Sequence, residues 1–259
     1  MILCVDIGNS NVTLGGFREE SEPCFVAHLS TDIAHTEDEY ACSILSVLSL
    51  HGVAAAQIEG AIISSDVPAL NAVMRQAVRL LCGKQALIVG PGIKTGISIH
   101  CDAPSSVGAD LVCACVAAHH LYGSPSLIVD MGTATKMMVV NDRPTFIGVS
   151  IMPGVQMGLQ ALTRGTAQLP QISLETPAAA IAKNTADSMR SGIIFGHAAM
   201  VDSMIDRFCA EMGGALPVLV TGGFCPMIAP HCRHTMTHDA HLVLKGLRLL
   251  YERNTPERR

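Results

Sequence analysis

The chain has 259 residues, enough for one large or two small domains whose core needs no covalent staples. Hydrophobic residues make up 49% and charged ones 15%, which excludes a disordered chain, yet no apolar run reaches the roughly 18 residues needed to span a bilayer, so no membrane partner is expected. Seventeen Lys and Arg against 22 Asp and Glu give a net charge of −5, so the generic attraction to phosphate backbones is missing and no nucleic-acid partner is expected.

In chain order, Ile2 to Asp6 reads as a short buried strand. It has neither the basic region nor the long apolar stretch of a leader peptide, so the chain is expected to be cytoplasmic. A polar tip, Gly8-Asn9-Ser10-Asn11, then turns into a returning strand over Val12 to Phe17. Thr36-Glu37-Asp38-Glu39 matches a capping box and opens an amphipathic helix to about Leu50. Ala61 to Ser64 and Leu87 to Val89 read as buried strands, with a helix from Asp66 to Leu81 between them and Pro68 in its first turn. This alternation predicts parallel strands beside the hairpin. A helix follows over Val107 to Leu121.

The same grammar returns at Leu127 to Asp130, with the tip Gly132-Thr133-Ala134-Thr135 and the run Met137 to Val140. Val5-Asp6-Ile7-Gly8-Asn9-Ser10 and Val129-Asp130-Met131-Gly132-Thr133-Ala134 are one phrase repeated 124 residues apart, close to half the chain. A duplicated domain is the economical reading, with α/β units over 1-123 and 124-259. In the second unit Thr145 to Met152 continues the sheet and Asn184 to Met212 forms one long helix. Val218 to Val220 is a strand ending at Thr221-Gly222-Gly223. A final helix runs from Asp239 to Arg253, before a frayed charged tail over 254–259.

A carboxylate at the end of a strand, followed at once by Gly and small hydroxyl or amide residues, suits a nucleotide phosphate site. Glycine lets backbone N–H groups approach phosphate oxygens, Asn, Ser and Thr add donors, and the carboxylate holds hydrated Mg²⁺. Asp6 with Gly8, Asn9, Ser10 and Asn11 is one such site, and Asp130 with Gly132, Thr133, Ala134 and Thr135 is the second. Gly222-Gly223 is suited to approach an adenosine. The ten cysteines lie in apolar segments without a Cys-x-x-Cys pair and read as small buried thiols. Cys232, His234, His238 and His241 form the densest possible metal-ligand group, in a stretch that also reads as a strand leading into a helix.

These motifs resemble the type III pantothenate kinases of bacteria, within the acetate and sugar kinase, Hsc70 and actin superfamily. Beside the two phosphate phrases, Pro104-Ser105-Ser106-Val107-Gly108-Ala109-Asp110 is similar to the family's Pro-x-x-x-Gly-Ala-Asp signature. Pro153-Gly154, Thr166-Ala167-Gln168-Leu169-Pro170, Asn184-Thr185-Ala186-Asp187-Ser188 and Thr221-Gly222-Gly223 follow in the family's order. The resemblance implies two ribonuclease-H-like domains in an actin-like ATPase fold, with ATP between them. The implied reaction is transfer of the γ-phosphoryl group of ATP to the primary hydroxyl of pantothenate, the first step of coenzyme A synthesis. It further implies Asp110 as general base, Asp6 as organiser of Mg²⁺, and Asn9 and Ser10 near the phosphates. Gly108 and Ala109 would line the pantothenate site, with Thr166 as a contact at a homodimer interface built from the long helices. Asp130 and Thr185 match positions associated with a monovalent cation, K⁺ or NH₄⁺.

The chain departs from the family pattern at Leu111, where Arg is usual, at Cys101 and Ala103, and at Lys136 and Met138 in the second phosphate phrase. Leu111 cannot supply the fixed positive fork of an arginine. An ammonium at Lys136 beside Asp130 would occupy the charge position of the monovalent cation, unless Lys136 simply faces solvent. Besides a pantothenate kinase, the sequence allows a catalytically impaired regulatory homologue or a phosphotransferase acting on another small hydroxyl acceptor. Retention of Asp6, Asp110 and Asp130 favours an enzyme, since a pure binding module has no need to hold repelling carboxylates together.

Overall fold

A computed structural model describes residues 1–255, which form two compact units: Met1–Gly123 together with the chain from His241, and Ser124–Ala240. Residues 256–259 of the expected charged tail lie outside the described residues.

Unit 1 opens with the expected hairpin, β1 (Ile2–Ile7) and β2 (Asn11–Phe17), continued by β3 (Phe25–Ser30). Helix α1 (Glu37–Leu50) starts at the predicted capping box: Glu39 N donates to the Thr36 hydroxyl at 3.3 Å and Thr36 N to the Glu39 carboxylate at 2.8 Å. Tyr40, Ile44, Val47 and Leu48 form its buried stripe. Then come β4 (Gly60–Ser65), α2 (Leu70–Cys82), β5 (Ala86–Ile88), the two-residue β6 (Ser98–Ile99) and α3 (Ala109–Tyr122). The main sheet runs β3-β2-β1-β4-β5, antiparallel through β3, β2 and β1 and parallel through β1, β4 and β5. β1 and β4 are covered on both faces, which explains their continuous apolar runs.

Helix α2 begins later than expected, and the difference bears on the site. Asp66 N donates to Ile7 O at 2.8 Å and Val67 N to the Ser65 hydroxyl at 3.1 Å, so the chain leaves β4 in a turn. Pro68 disfavours helical geometry at Val67, and the helix waits until Leu70. Asp66 is therefore a strand-end residue and not a helical one.

Unit 2 contains β7 (Ser126–Met131), β8 (Ala134–Val140) and β9 (Thr145–Pro153), then α4 (Val155–Gly165) and α5 (Thr185–Glu211). β10 (Val218–Thr221), the one-turn α6 (Cys225–Ile228) and β11 (Thr237–His238) complete it. Its strands are ordered β11-β10-β7-β8-β9, antiparallel through β7, β8 and β9 and parallel through β7, β10 and β11. That is the strand order and direction of unit 1 again, as a duplication requires. Asn184 caps α5 by accepting from Asp187 N at 2.9 Å, and Ile194, Ala198, Val201 and Ile205 pack on the sheet.

The last helix, α7 (Leu242–Asn254), corrects the expected boundary, because it belongs to unit 1 and not to the second half. Leu244, Leu247 and Leu250 join Val112, Cys113 and Val116 of α3 in one core. Gly246 is packed so closely against the Cys113 carbonyl that a Cβ there would collide with it. The strand β3 and the helix α4 were not anticipated.

Candidate functional site

Unit 1 gathers its candidate residues at the carboxyl ends of β1 and β4, where open α/β sheets bind ligands. The hairpin tip is tight, with Gly8 N donating to Asn11 O at 2.9 Å, and Thr31 ties it to β3 through its hydroxyl on Gly8 O at 2.7 Å and its N–H on Ser10 O at 3.1 Å. Asn9, Ser10 and Asn11 are exposed on this anchored turn, and half-buried Asp6 lies one residue before the end of β1. Gly108 is the N-cap of α3, followed by Ala109 and by Asp110, which is buried and accepts from Leu111 N at 2.8 Å. An acid in the first turn suits the helix dipole.

Two carboxylates converge on Gly108. A Cβ on that glycine would lie 2.7 Å from Asp110 Oδ1 and 3.4 Å from Asp66 Oδ1, so any side chain there would press on Asp110. Asp66 is the functional candidate that sequence reasoning missed. Its available signal was Pro68 two residues on, which marks a turn and not a helix start. Asp6 and Asp110 both bear on one buried group, the Cys113 thiol. Burial pushes the Cys113 thiol well above its ordinary pKa, and the charges of Asp6 and Asp110 push it further. Cys113 is thus held as a neutral thiol beneath the carboxylates.

A cleft of about 1040 Å³ opens beside these groups, lined among others by Asn9, Asp66, Asn71, Gly108 and Ala109. Asn71, one of its lining residues, has a buried Oδ1 with no hydrogen-bond partner among the described residues. One wall comes from the loop at Gly90 to Ile97, which α7 holds in place. Lys94 N donates to Asn254 Oδ1 at 2.8 Å, and Asn254 Nδ2 donates to Lys94 O at 2.9 Å.

Unit 2 repeats the arrangement with different residues. Gly132 and Thr133 make the turn, and Gly154 lies against their carbonyls where a Cβ would collide. Asp130 is half-buried near the end of β7, and Gly222, at φ +94°, sits where a Cβ would be 2.6 Å from Asp130 Oδ1. No other residue type fits there. Gly223 faces open space. Burial and the Asp130 charge push the neighbouring Cys225 thiol up to about 11.

The register sets Lys136 directly opposite Asp130 across β7 and β8, as Thr13 stands opposite Asp6 in unit 1. Directly opposed residues share a sheet face with adjacent Cβ atoms. Lys136 is half-buried on that face. Thr135 is fully buried, and its hydroxyl lies 2.8 Å from His197 Nε2, so this side chain supports the turn from within α5. Thr185 is exposed at the first position of α5, while Thr166 ends α4 with its hydroxyl donating to Leu162 O at 2.9 Å.

The positions that depart from the family pattern are filled in different ways. Leu111 and Met138 are buried apolar side chains, Cys101 is half-buried, and Ala103 is exposed. Within the considered metal group, Cys232 donates to the Ile228 carbonyl at 3.6 Å and His234 Nε2 is 2.8 Å from Asp206. Among the described residues, no three His, Cys, Asp or Glu side chains are arranged to hold a metal, and no helix is long and apolar enough to cross a membrane.

Residues 2–207 match the family model described as type III pantothenate kinase. The type III pantothenate kinase of Brevibacillus brevis is 41% identical over 98% of this chain and 99% of its own length. That of Moorella thermoacetica is 37% identical over 98% of this chain and its whole length. Among solved structures, the chain is similar to a putative 2-dehydro-3-deoxygalactonokinase from Sinorhizobium meliloti, with TM-score 0.62, 13% identity and 100% and 98% coverage of the two chains. An activator of 2-hydroxyisocaproyl-CoA dehydratase from Clostridium difficile, solved with bound ADPNP, gives TM-score 0.55 and 10% identity over 96% and 93%. At these identities the likeness is one of fold, the duplicated α/β architecture of actin-like ATPases and sugar kinases.

Proposed function

The chain belongs to the type III pantothenate kinase family and phosphorylates pantothenate with ATP in coenzyme A biosynthesis, and within that reaction we propose that Asp110 is the general base. The observation that carries the assignment is the convergence of Asp110 and Asp66 on Gly108, beside a cleft that also takes in Asn9 of the phosphate turn. A carboxylate within hydrogen-bond reach of the acceptor's primary hydroxyl takes its proton as the oxygen attacks the γ-phosphorus and ADP leaves.

The turn at Gly8 to Asn11 donates N–H and side-chain hydrogen bonds to phosphate oxygens. The carboxylates of unit 1 are hard oxygen donors of the kind Mg²⁺ prefers, and the nearby Cys113 stays a neutral thiol, so a divalent cation fits there with Asp6 as its holder. Bound there, Mg²⁺ would supply positive charge to the phosphoryl oxygens. Gly132 and Thr133 form the second phosphate turn, with Ala134 opening β8 beside them and Thr135 supporting it. Gly222 and Gly223 accept the adenosine. Gly108 and Ala109 let pantothenate approach the backbone, with Thr166 as a further contact.

At Asp130 and Thr185, the positions associated with a monovalent cation, the Lys136 ammonium takes over the charge. Its support is the cross-strand register with Asp130. Turnover should then be indifferent to added K⁺ or NH₄⁺, and a steep rise with K⁺ would count against this role.

The general base is tested by following ATP consumption with and without pantothenate for wild type and Asp110→Asn. Pantothenate-dependent consumption that falls at least a hundredfold in the variant is expected, in line with the size of general-base contributions. A variant retaining wild-type turnover would remove Asp110 from the role. Consumption only with other hydroxyl acceptors would move the activity to another substrate.

A further inference from the structure

We propose that Asp66 is a specificity-determining residue that accepts a hydrogen bond from the second hydroxyl of the acceptor, so that two carboxylates over Gly108 read the two ends of a diol. The proposal rests on the pantothenate kinase reading and adds a contact to it. Pantothenate carries a 1,3-diol, with the reacting primary hydroxyl and a secondary hydroxyl two carbons away.

Three observations meet at Asp66. Its Oδ1 and that of Asp110 approach the same glycine, at 3.4 Å and 2.7 Å from the position of an added Cβ, so a ligand lying over Gly108 meets both. Asp66 itself lines the cleft, together with Gly108 and Ala109. Its backbone is fixed by the hydrogen bond from Asp66 N to Ile7 O at 2.8 Å and by the turn that Ser65 makes with Val67 N, so the carboxylate is presented from the rigid ends of β1 and β4. A carboxylate in a partly enclosed site accepts a hydroxyl proton in a charge-assisted hydrogen bond. It also repels an additional anion, which favours an acceptor that approaches with its hydroxyl end.

The division of labour follows from position. Asp110 sits in the first turn of α3 and is buried, as suits a group that handles one proton. Asp66 stands on the cleft wall, where the part of the substrate next to the reacting group lies. The contact is present in ground and transition states alike, so its loss should appear chiefly in KM and in binding.

The experiment compares pantothenate with its analogue lacking the secondary hydroxyl, on wild type, Asp66→Asn and Asp66→Val. Both kcat/KM and calorimetric binding in the presence of a non-hydrolysable ATP analogue are measured. Wild type should favour pantothenate by about tenfold to a hundredfold, the range of a hydrogen bond to a charged group. Asp66→Val should bring that ratio close to one, and Asp66→Asn, which keeps a neutral acceptor of the same shape, should fall between.

The proposal is overturned if wild type does not distinguish the two compounds, if it binds neither, or if Asp66→Val weakens both equally. A collapse of kcat with the ratio intact would overturn it too, by moving Asp66 to proton transfer or to structure. If wild type binds and distinguishes the two compounds without phosphorylating either, the assigned reaction fails while the diol contact stands.

Discussion

Thr135 and His197 show how a single buried pair supports the turn at Gly132 and Thr133. The hydroxyl and the imidazole lie 2.8 Å apart inside unit 2, and burial lowers the His197 pKa from its ordinary 6.5, so the ring stays neutral in the fold. The unfolded chain then takes up the proton first as the pH drops. The stability that His197 contributes is complete above about 6.5 and is lost as the pH falls from there through the lowered folded value. In urea unfolding between pH 7.5 and 5, His197→Gln should flatten that acid-side decline, and an unchanged slope would contradict the account. Thr135→Val, which strands the ring nitrogen, should cost about 1–3 kcal/mol at neutral pH. At this scale the sequence was legible only in part. Asp110 as an acid near a helix start is common, and only the family likeness marks it as a base. Asp66 was hidden because the helical pattern that follows it extends smoothly backward, whereas the turn made by Ser65 and Pro68 delays the helix to Leu70, four residues later than periodicity suggests. Lys136 was legible as a neighbour of Asp130, but its half-buried setting depends on how β8 is covered.

Elements built on local signals were the most legible. The hairpin phrases around Asp6 and Asp130 appear as strand, turn and returning strand, although the second tip is shorter than expected because β8 already begins at Ala134, and the capping box at Thr36 opens α1 as its chemistry requires. Asn184 starts α5 by the same logic. β3 and α4 escaped notice for different reasons. β3 is an edge strand with one face half-exposed, so its pattern is weak. α4 carries Gly158 and Gly165, which dilute a helical pattern, and Gly158 lies close to α5, with Ile193 Cδ1 3.3 Å from where a Cβ would be. The placement of α7 depends on contacts that no local window contains. It fills the face of the unit 1 sheet beside α3, with Gly246 against Cys113 and Leu244 over Gly15. Its end also shapes the cleft, since the Asn254 amide bonds both backbone groups of Lys94. Gly96 of the same loop has φ +79° and is covered by the Arg253 guanidinium.

Across the whole molecule, repetition is the organising fact. Both units use one strand order, both place an aspartate one residue before the end of the central strand, and both follow it with a glycine turn. The copies have since diverged in what surrounds those aspartates: Thr13 faces the first and Lys136 the second. Duplication was readable because the phrase survives in both halves, whereas the ownership of α7 was not, because an even division of the chain gives no hint that its last helix returns to the first unit. The kinase assignment joins this architecture to relatives that match nearly the full length. Its most direct test is the amount of 4′-phosphopantothenate formed per ATP consumed by the wild-type chain. One product per ATP, with ATP consumption negligible until pantothenate is added, is the expected result. ATP hydrolysis that proceeds equally without pantothenate, or pantothenate recovered unphosphorylated, would contradict it.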